Sequence, residues 1–240
     1  MTKLILTGAT GSAGGEVLRQ ALAQSQITHV TVLTRRALNT DSHPKLTTII
    51  LPSAENPKGF DELSPAVMEA VRDHTACIWA LGIGQKVVSE KEYLRITVDM
   101  PIRAAEAFKT LASESQPFRF VCLSGDFVDQ NEKGSNLYVN IKGRMEKQLS
   151  ELASPAFQTV CLRAGGIIPT KEHAKTMSGT KLFNLYYLAP VVSTVYPRLA
   201  ISSTQVAISA LKLATGAGGW EMRTGEGWIS CNDMKKIAKI

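Results

Sequence analysis

Residues 7–14 read Thr-Gly-Ala-Thr-Gly-Ser-Ala-Gly and follow directly on the apolar run Lys3-Leu-Ile-Leu-Thr7. A short apolar run stopped by a glycine predicts a buried strand. Beyond it, Val17, Leu18, Ala21 and Leu22 recur at helical spacing and predict a helix over 13–24. In a strand–turn–helix of this kind Gly8 makes the turn, Gly11 lets backbone approach a pyrophosphate closely, and Gly14 lets the helix pack on the strand. The free N–H groups at the helix start, with the helix dipole, suit phosphate. Thr10, Ser12 and Ala13 therefore join the three glycines as candidate dinucleotide contacts. A glycine turn without a ligand is the bland alternative; placement on the first strand of an alternating chain is what gives the pattern weight.

The chain does alternate. Strands are expected at 30–33, 46–51, 76–81, 118–123 and 159–162. Helices are expected from Ser64-Pro65 through Val71, at 101–113, at 137–152, at 204–214 and from Asp233, with a short strand at Trp228-Ile229. Such alternation means parallel strands with right-handed crossovers, an α/β doubly wound parallel sheet spanning residues 1–240 as one domain. Between 165 and 200 the pattern loosens around Gly165-Gly166, Pro169 and Pro197, the natural place for a small C-terminal substrate lid. Tyr186-Tyr187 in that stretch either line a substrate pocket or pack the lid.

Composition narrows the function classes. With 44% hydrophobic and 20% charged residues among 240, the chain can bury a sizeable core without disulfide or metal staples. The net charge of +6 is spread without runs or a basic stripe, so no nucleic-acid partner is expected and a small anionic ligand such as a nucleotide is. The late apolar stretch 182–195 is broken by Asn184, Pro190, Ser193 and Thr194, so no membrane span is expected. Cys77, Cys122, Cys161 and Cys231 form no CxxC pair, and three of them sit in apolar runs, as buried reduced thiols of a cytoplasmic protein would. The four histidines are isolated and suggest no metal. With an apolar run reached by Leu4, no signal or transit peptide is expected ahead of the fold.

Two further signals bear on chemistry. Where an acid usually takes a ribose 2′-hydroxyl, this chain has Thr34-Arg35-Arg36, with no acid before Asp41. Arginine there suits a 2′-phosphate, so NADP(H) is expected over NAD(H), with Arg35 the better candidate and Arg36 beside it; a solvated basic turn is the alternative. Ser124 ends a strand, and Tyr138 and Lys142 lie four apart on one face of the following helix. A phenol titrates near ~10, too high for neutral acid–base work, and a neighbouring ammonium lowers that value. A serine hydroxyl across the cleft can hold a carbonyl or alkoxide oxygen. Many surface helices carry Tyr-x-x-x-Lys, and only the glycine turn and Ser124 upstream make it a catalytic candidate. Asp126 and Asp129, by contrast, lie on a polar loop and read as solvated or capping. Trp79 and Phe120 read as core.

The segment Thr7–Gly14, Ser124, Tyr138-x-x-x-Lys142-Gly143, Val98-Asp99 and Leu162-Arg-Ala-Gly165 together resemble the short-chain dehydrogenase/reductase superfamily. The likeness is to its atypical or extended branch, with its NmrA-like redox sensors and its oxidoreductases of the Tat-interacting-protein type, and most to the latter. It covers about residues 2–170. The resemblance implies a Rossmann fold and a nicotinamide dinucleotide. It implies Ser124, Tyr138 and Lys142 as a catalytic trio, Lys142 also binding the nicotinamide ribose, and backbone at Leu81-Gly82 lining the cofactor. Two positions depart from the family pattern: Gly125 stands where a second serine is usual, and Leu51-Pro52-Ser53 replaces an acid beside the adenine. The expected function is hydride transfer between NADP(H) and a small carbonyl or alcohol. A non-catalytic NADP(H) sensor that docks a protein is the second reading and a nucleotide-sugar epimerase or dehydratase the third. A homodimer is compatible with all three.

Overall fold

The computed structural model describes residues 1–38, 42–177, 179, 183–191 and 196–239. Asp41 and, within the expected lid, residues 178, 180–182 and 192–195 lie outside the described residues. The sheet contains β1 (Thr2–Thr7), β2 (Ile27–Thr34), β3 (Leu46–Ile50), β4 (Ala76–Trp79), β5 (Phe118–Gly125), β6 (Phe157–Ala164) and β9 (Trp228–Ile229). Their order is β3-β2-β1-β4-β5-β6-β9, every pair parallel. The strand order reverses between β1 and β4, and ligands of open α/β sheets bind at such a switch point, beyond the carboxyl ends of the strands. The expected doubly wound sheet is therefore present.

Alternation along each strand divides the apolar side chains between two layers. Leu4, Leu6, Ile78, Val121, Val160 and Leu162 face α1 (Ser12–Ala23), α7 (Ser203–Thr215) and α8 (Cys231–Ile237). Ile5, Cys77, Trp79, Phe118, Phe120 and Phe157 face the other side, toward α4 (Met100–Lys109) and α5 (Leu137–Glu151). That second layer is aromatic, with Phe108, Phe118 and Phe157 stacked in sequence at 5.8 Å between successive centroids. Aromatic pairs of this kind add about 0.5–1.5 kcal/mol each beyond burial. All four cysteines are buried and unoxidised within these layers. Among the described residues no helix is long and apolar enough to cross a membrane.

Several elements differ from expectation. The helix expected to open at Pro101 is preceded without a break by α3 (Glu90–Leu94) and a π-helical turn over Arg95–Asp99. Ser89 caps α3 by accepting from the Glu92 N–H at 3.3 Å, and a wide turn before Pro101 accommodates a residue that has no N–H and whose ring would crowd the carbonyl four residues back. Residues 166–168 and 200–202 pair as a parallel two-stranded sheet, β7 (Gly166–Ile168) with β8 (Ala200–Ser202). A short α6 (Lys171–Ala174) follows β7.

His74, 5% exposed, sits below β2 with Nε2 2.9 Å from Thr31 Oγ1 and Nδ1 3.1 Å from the Val71 carbonyl. A carbonyl only accepts, so Nδ1–H donates to it and the neutral ring accepts the Thr31 hydroxyl at Nε2. Burial, reinforced by His29, pushes its pKa down to about 4. Between about 4 and the ordinary ~6.5 the unfolded chain binds a proton that the folded chain refuses, so stability is complete above that window and is lost as pH falls through it. The loss attributable to His74 is about 3 kcal/mol between pH 7 and pH 4. In urea titrations the unfolding free energy of wild type should fall between pH 7 and pH 4 by that amount more than that of His74→Gln; equal falls would remove His74 as the cause.

Candidate active site

The site begins where β1 stops. Thr7 Oγ1 accepts hydrogen bonds from the backbone N–H of Ala80 (3.2 Å) and Leu81 (3.1 Å). These bonds tie the ends of β1 and β4 together, and β4 ends at Trp79 rather than Leu81. Gly8 adopts a left-handed φ of +69°, and a β-carbon there would lie 2.3 Å from the Ala80 carbonyl oxygen. A β-carbon on Gly14 would lie 2.2 Å from the Gly8 oxygen. Both glycines are thus demanded from within. Gly11 is different: its β-carbon would meet only the Gly8 oxygen, at 3.3 Å, and the residue is exposed. Its open face looks out over the first turn of α1, which has no side-chain cap and no acidic residue. Ser12 Oγ beside it is buried without a hydrogen-bond partner. A bare backbone, unmasked N–H groups and an orphaned hydroxyl fit a phosphate-bearing ligand.

A cleft of about 310 Å³ runs from this turn across the sheet. Gly11, Ser12, Ala13, Gly14, Leu81, Gly82, Ser124 and Lys142 all line it, so most of the residues singled out in the sequence converge. Ser124, 6% exposed near the end of β5, has its Oγ buried and unpartnered. Asn136 starts α5 by accepting from the Val139 N–H at 3.1 Å, which puts Tyr138 in the first turn and Lys142 one turn on. Lys142 Nζ lies 5.4 Å from the centre of the Tyr138 ring. Trp79, Thr97 in the π-turn, Pro101 and Ile167 of β7 are also among the residues that line it. Sequence reasoning missed them; a proline inside an apolar helical face was the only available hint of the wide turn.

Tyr138 itself is not part of the lining. Its phenol rests on Gly125, where a β-carbon would fall 1.7 Å from Oη. The glycine that departs from the family pattern is therefore what admits the tyrosine in this rotamer. The expected lowering by Lys142 is not what this geometry produces. Burial pushes the Tyr138 pKa up to about 12, and Tyr93, Asp126 and Glu146 push the same way. Lys142 is held below the usual lysine range by burial, against opposition from Cys122 and Glu146.

The helix bearing both residues is locked in place. Glu146, with its side chain fully buried, pairs with Arg163 at 2.6 Å, and Arg163 is the register partner of Ser124. Arg163 also stacks on Trp228, 4.1 Å from the ring centre, while Gln130 donates to Glu146 at 3.2 Å. The loop after β5 crosses α5 at Gly143, where a β-carbon would lie 1.8 Å from the Asp129 oxygen.

On the other side of the glycine turn, Thr10 and Arg36 line a second cavity of about 640 Å³ with Ala9, Arg19 and Leu38. Thr34 Oγ1 accepts from the Arg36 N–H (3.3 Å) and donates to its carbonyl (2.9 Å), shaping the turn that presents Arg36. Arg35 is exposed and is not among the residues lining that cavity.

No protein-family model matches the chain. It is 26% identical over 191 residues to Leucinostatins biosynthesis cluster protein T of Purpureocillium lilacinum, covering 79% of this chain but only 64% of that protein. It is 26% identical over 208 residues to Protein FMP52-1, mitochondrial, of Scheffersomyces stipitis, covering 85% of each. Among solved structures, the carbonyl reductase Sniffer of D. melanogaster superposes with a TM-score of 0.66 at 15% identity over 97% of both chains. The NAD+ complex of WbmF from Bordetella bronchiseptica gives 0.63 at 12% identity, over 99% of this chain and 78% of that one. At these identities the likeness is one of fold, a Rossmann sheet that solved proteins described as short-chain dehydrogenases share.

Proposed function

We propose that the chain is an NADP(H)-dependent oxidoreductase of the short-chain dehydrogenase/reductase type, in its atypical branch, acting on a carbonyl or alcohol. The observation that carries the reading is the buried, unpartnered Ser124 hydroxyl in the same cleft as Lys142 and the open backbone of Gly11–Gly14. Unsatisfied buried hydroxyls are rare and costly, and this one belongs to a residue of the cleft wall, where a donor to a reacting oxygen is needed. The dinucleotide, when bound, supplies the hydride. Gly8, Thr10, Gly11, Ser12, Ala13 and Gly14 would hold its diphosphate, Leu81-Gly82 would line it, and Lys142 would hold its ribose. Ser124 donates to the substrate oxygen. Tyr138, protonated at neutral pH because its pKa stands near 12, serves as proton donor in the reducing direction once its ring swings from Gly125 toward the cleft. A second reading, an NADP(H) sensor that docks a protein, is favoured by that resting position of the phenol. Oxidation of NADPH by any carbonyl in a screen of aldehydes, ketones and quinones separates the two.

For coenzyme choice, the cavity shared by Thr10 and Arg36 favours Arg36, with Arg35 kept beside it, as the contact to a 2′-phosphate. Arg36→Asp is expected to raise the Kd for NADPH about 10- to 50-fold and leave NADH within about threefold, a difference of 1.4–2.3 kcal/mol. Calorimetry on Arg36→Asp and Arg35→Asp checks this; equal weakening of both coenzymes would remove the arginine turn from 2′-phosphate recognition. As to compartment, the four buried thiols support the cytoplasm, whereas the FMP52 relative's name places that protein in mitochondria. Fractionation of expressing cells decides between them.

A further inference from the structure

We infer that the substrate is a neutral carbonyl compound with an extended apolar or aromatic body, held by exposed rings at the mouth of the cleft; this rests on the oxidoreductase reading above. The first ground is charge. Among the described residues lining the cleft Lys142 is the single charged one, and the proposed mechanism commits it to the coenzyme ribose. Arg163, the register partner of Ser124, is already paired with Glu146. A carboxylate or phosphate on the substrate would find no uncommitted cation among the described lining residues, and desolvating it unpaired is costly.

The second ground is where the chain leaves apolar surface uncovered. Phe127 is 63% exposed, Phe183 60%, Tyr187 59% and Leu188 45%. Phe127 lies three residues after Ser124, beyond the carboxyl end of β5. The others belong to a π-helical segment, Phe183–Leu188, that packs beside β7, and Ile167 of β7 lines the cleft. Apolar rings are thus left bare on two segments that adjoin cleft-lining residues, one following Ser124 and one packed beside the strand of Ile167. No Asp, Glu, Lys or Arg occurs between Lys181 and Arg198. Phe127 is held at φ +60°, a left-handed backbone unfavourable for a β-substituted residue, while its N–H donates to Asp126 Oδ1 at 2.9 Å. A strained backbone that presents a phenyl ring to water serves no need of the fold. It does serve a binding wall.

The test has a kinetic and a binding arm. With saturating NADPH, kcat/KM is measured for the unbranched aldehydes from propanal to decanal, and for 4-methylbenzaldehyde against 4-carboxybenzaldehyde. Each methylene should raise kcat/KM about two- to fourfold until the wall is covered. The methyl compound should exceed the carboxylate at least about tenfold. Phe127→Ser and Tyr187→Ser, both at exposed positions, should each cut the decanal-to-propanal ratio about tenfold. A flat series, a preferred carboxylate, or an unchanged ratio in both variants would overturn the inference while leaving the oxidoreductase reading intact. If no carbonyl consumes NADPH, the oxidoreductase reading falls and the second arm decides the apolar site. The neutral dye Nile red should brighten on wild type, lose at least half that signal in each variant, and be displaced by decanol. Equal brightness in wild type and variants overturns the site. So does a loss of self-association or of binding to neutral vesicles in the variants with selectivity and dye signal unchanged, since the rings would then face a second copy or a membrane.

Discussion

Replacing Tyr138 with phenylalanine is expected to lower kcat for carbonyl reduction by between about 100- and 10,000-fold, with the Kd for NADPH unchanged within about twofold. The range is what a positioned proton donor contributes, and it corresponds to about 3–5 kcal/mol of barrier. Affinity is spared because Tyr138 does not line the cleft in the resting structure, whereas Lys142 and the glycine turn do. The ring stays, so its packing on Gly125 and the layer beneath is kept, and only the oxygen is removed. The melting temperature should hold within about 2 °C, since the effect on stability is a small fraction of 1 kcal/mol. The pH profile adds an independent check. A phenol pushed up to about 12 at rest on Gly125 is protonated throughout the neutral range, and kcat/KM, which reports the free enzyme, loses the donor only as pH rises through that value. Reduction by wild type should therefore lack a tyrosine-dependent limb between pH 6 and pH 9. A Tyr138→Phe enzyme with wild-type turnover would remove the trio; one that loses turnover and NADPH binding together would make the phenol a structural prop.

The parts of this molecule that were legible in the sequence are those set by local pattern. Gly8, Gly11 and Gly14 declare the turn because each is needed within seven residues of the others, and the two-residue period of β1 and β4–β6 sorts their side chains into two layers without reference to anything distant. Ser124 and Lys142 could be brought to one cleft from strand order alone, because parallel strands place all their carboxyl ends on one edge. The rest depends on long-range contacts that no spacing encodes. The Tyr138 rotamer is decided by a missing side chain at Gly125, on another element, and by the chain crossing at Gly143. Arg35 and Arg36 differ by one position, and which of them faces the Thr10 cavity follows from how Thr34 clamps the turn. The π-turn ahead of Pro101 was hidden because a proline reads as a helix start; here the helix had already begun at Glu90. Glu146 and Arg163, which hold α5 to β6, look in the sequence like ordinary charged residues, and burial alone sets them apart.

Gly14→Ala and Gly11→Ala should part company. A methyl group on Gly14 would meet the Gly8 oxygen at 2.2 Å, the Gly8 carbonyl carbon at 2.6 Å and the Ala9 nitrogen at 3.1 Å, all of them backbone. No flexible side chain can give way, so α1 must move off the turn that carries it. The expected result is destabilisation by about 1–3 kcal/mol, as for other overpacked sites, and a rise in the NADPH Kd of at least about 100-fold, or 2.7 kcal/mol. On Gly11 the methyl would meet a single atom, at 3.3 Å, on an exposed residue with φ −90° that alanine adopts without strain. Folding stability should then stay within about 1 kcal/mol of wild type, the loss of an entropically costly glycine in the unfolded chain partly offsetting the tight contact. Affinity for NADPH should nonetheless fall at least about tenfold, because the methyl fills the space the diphosphate needs. Chemical denaturation and calorimetry on the two variants separate fold from ligand at one turn. An intact Gly11→Ala protein that binds NADPH as tightly as wild type would mean that no diphosphate lies against this backbone, and the coenzyme assignment would have to be given up even though the Rossmann sheet remained.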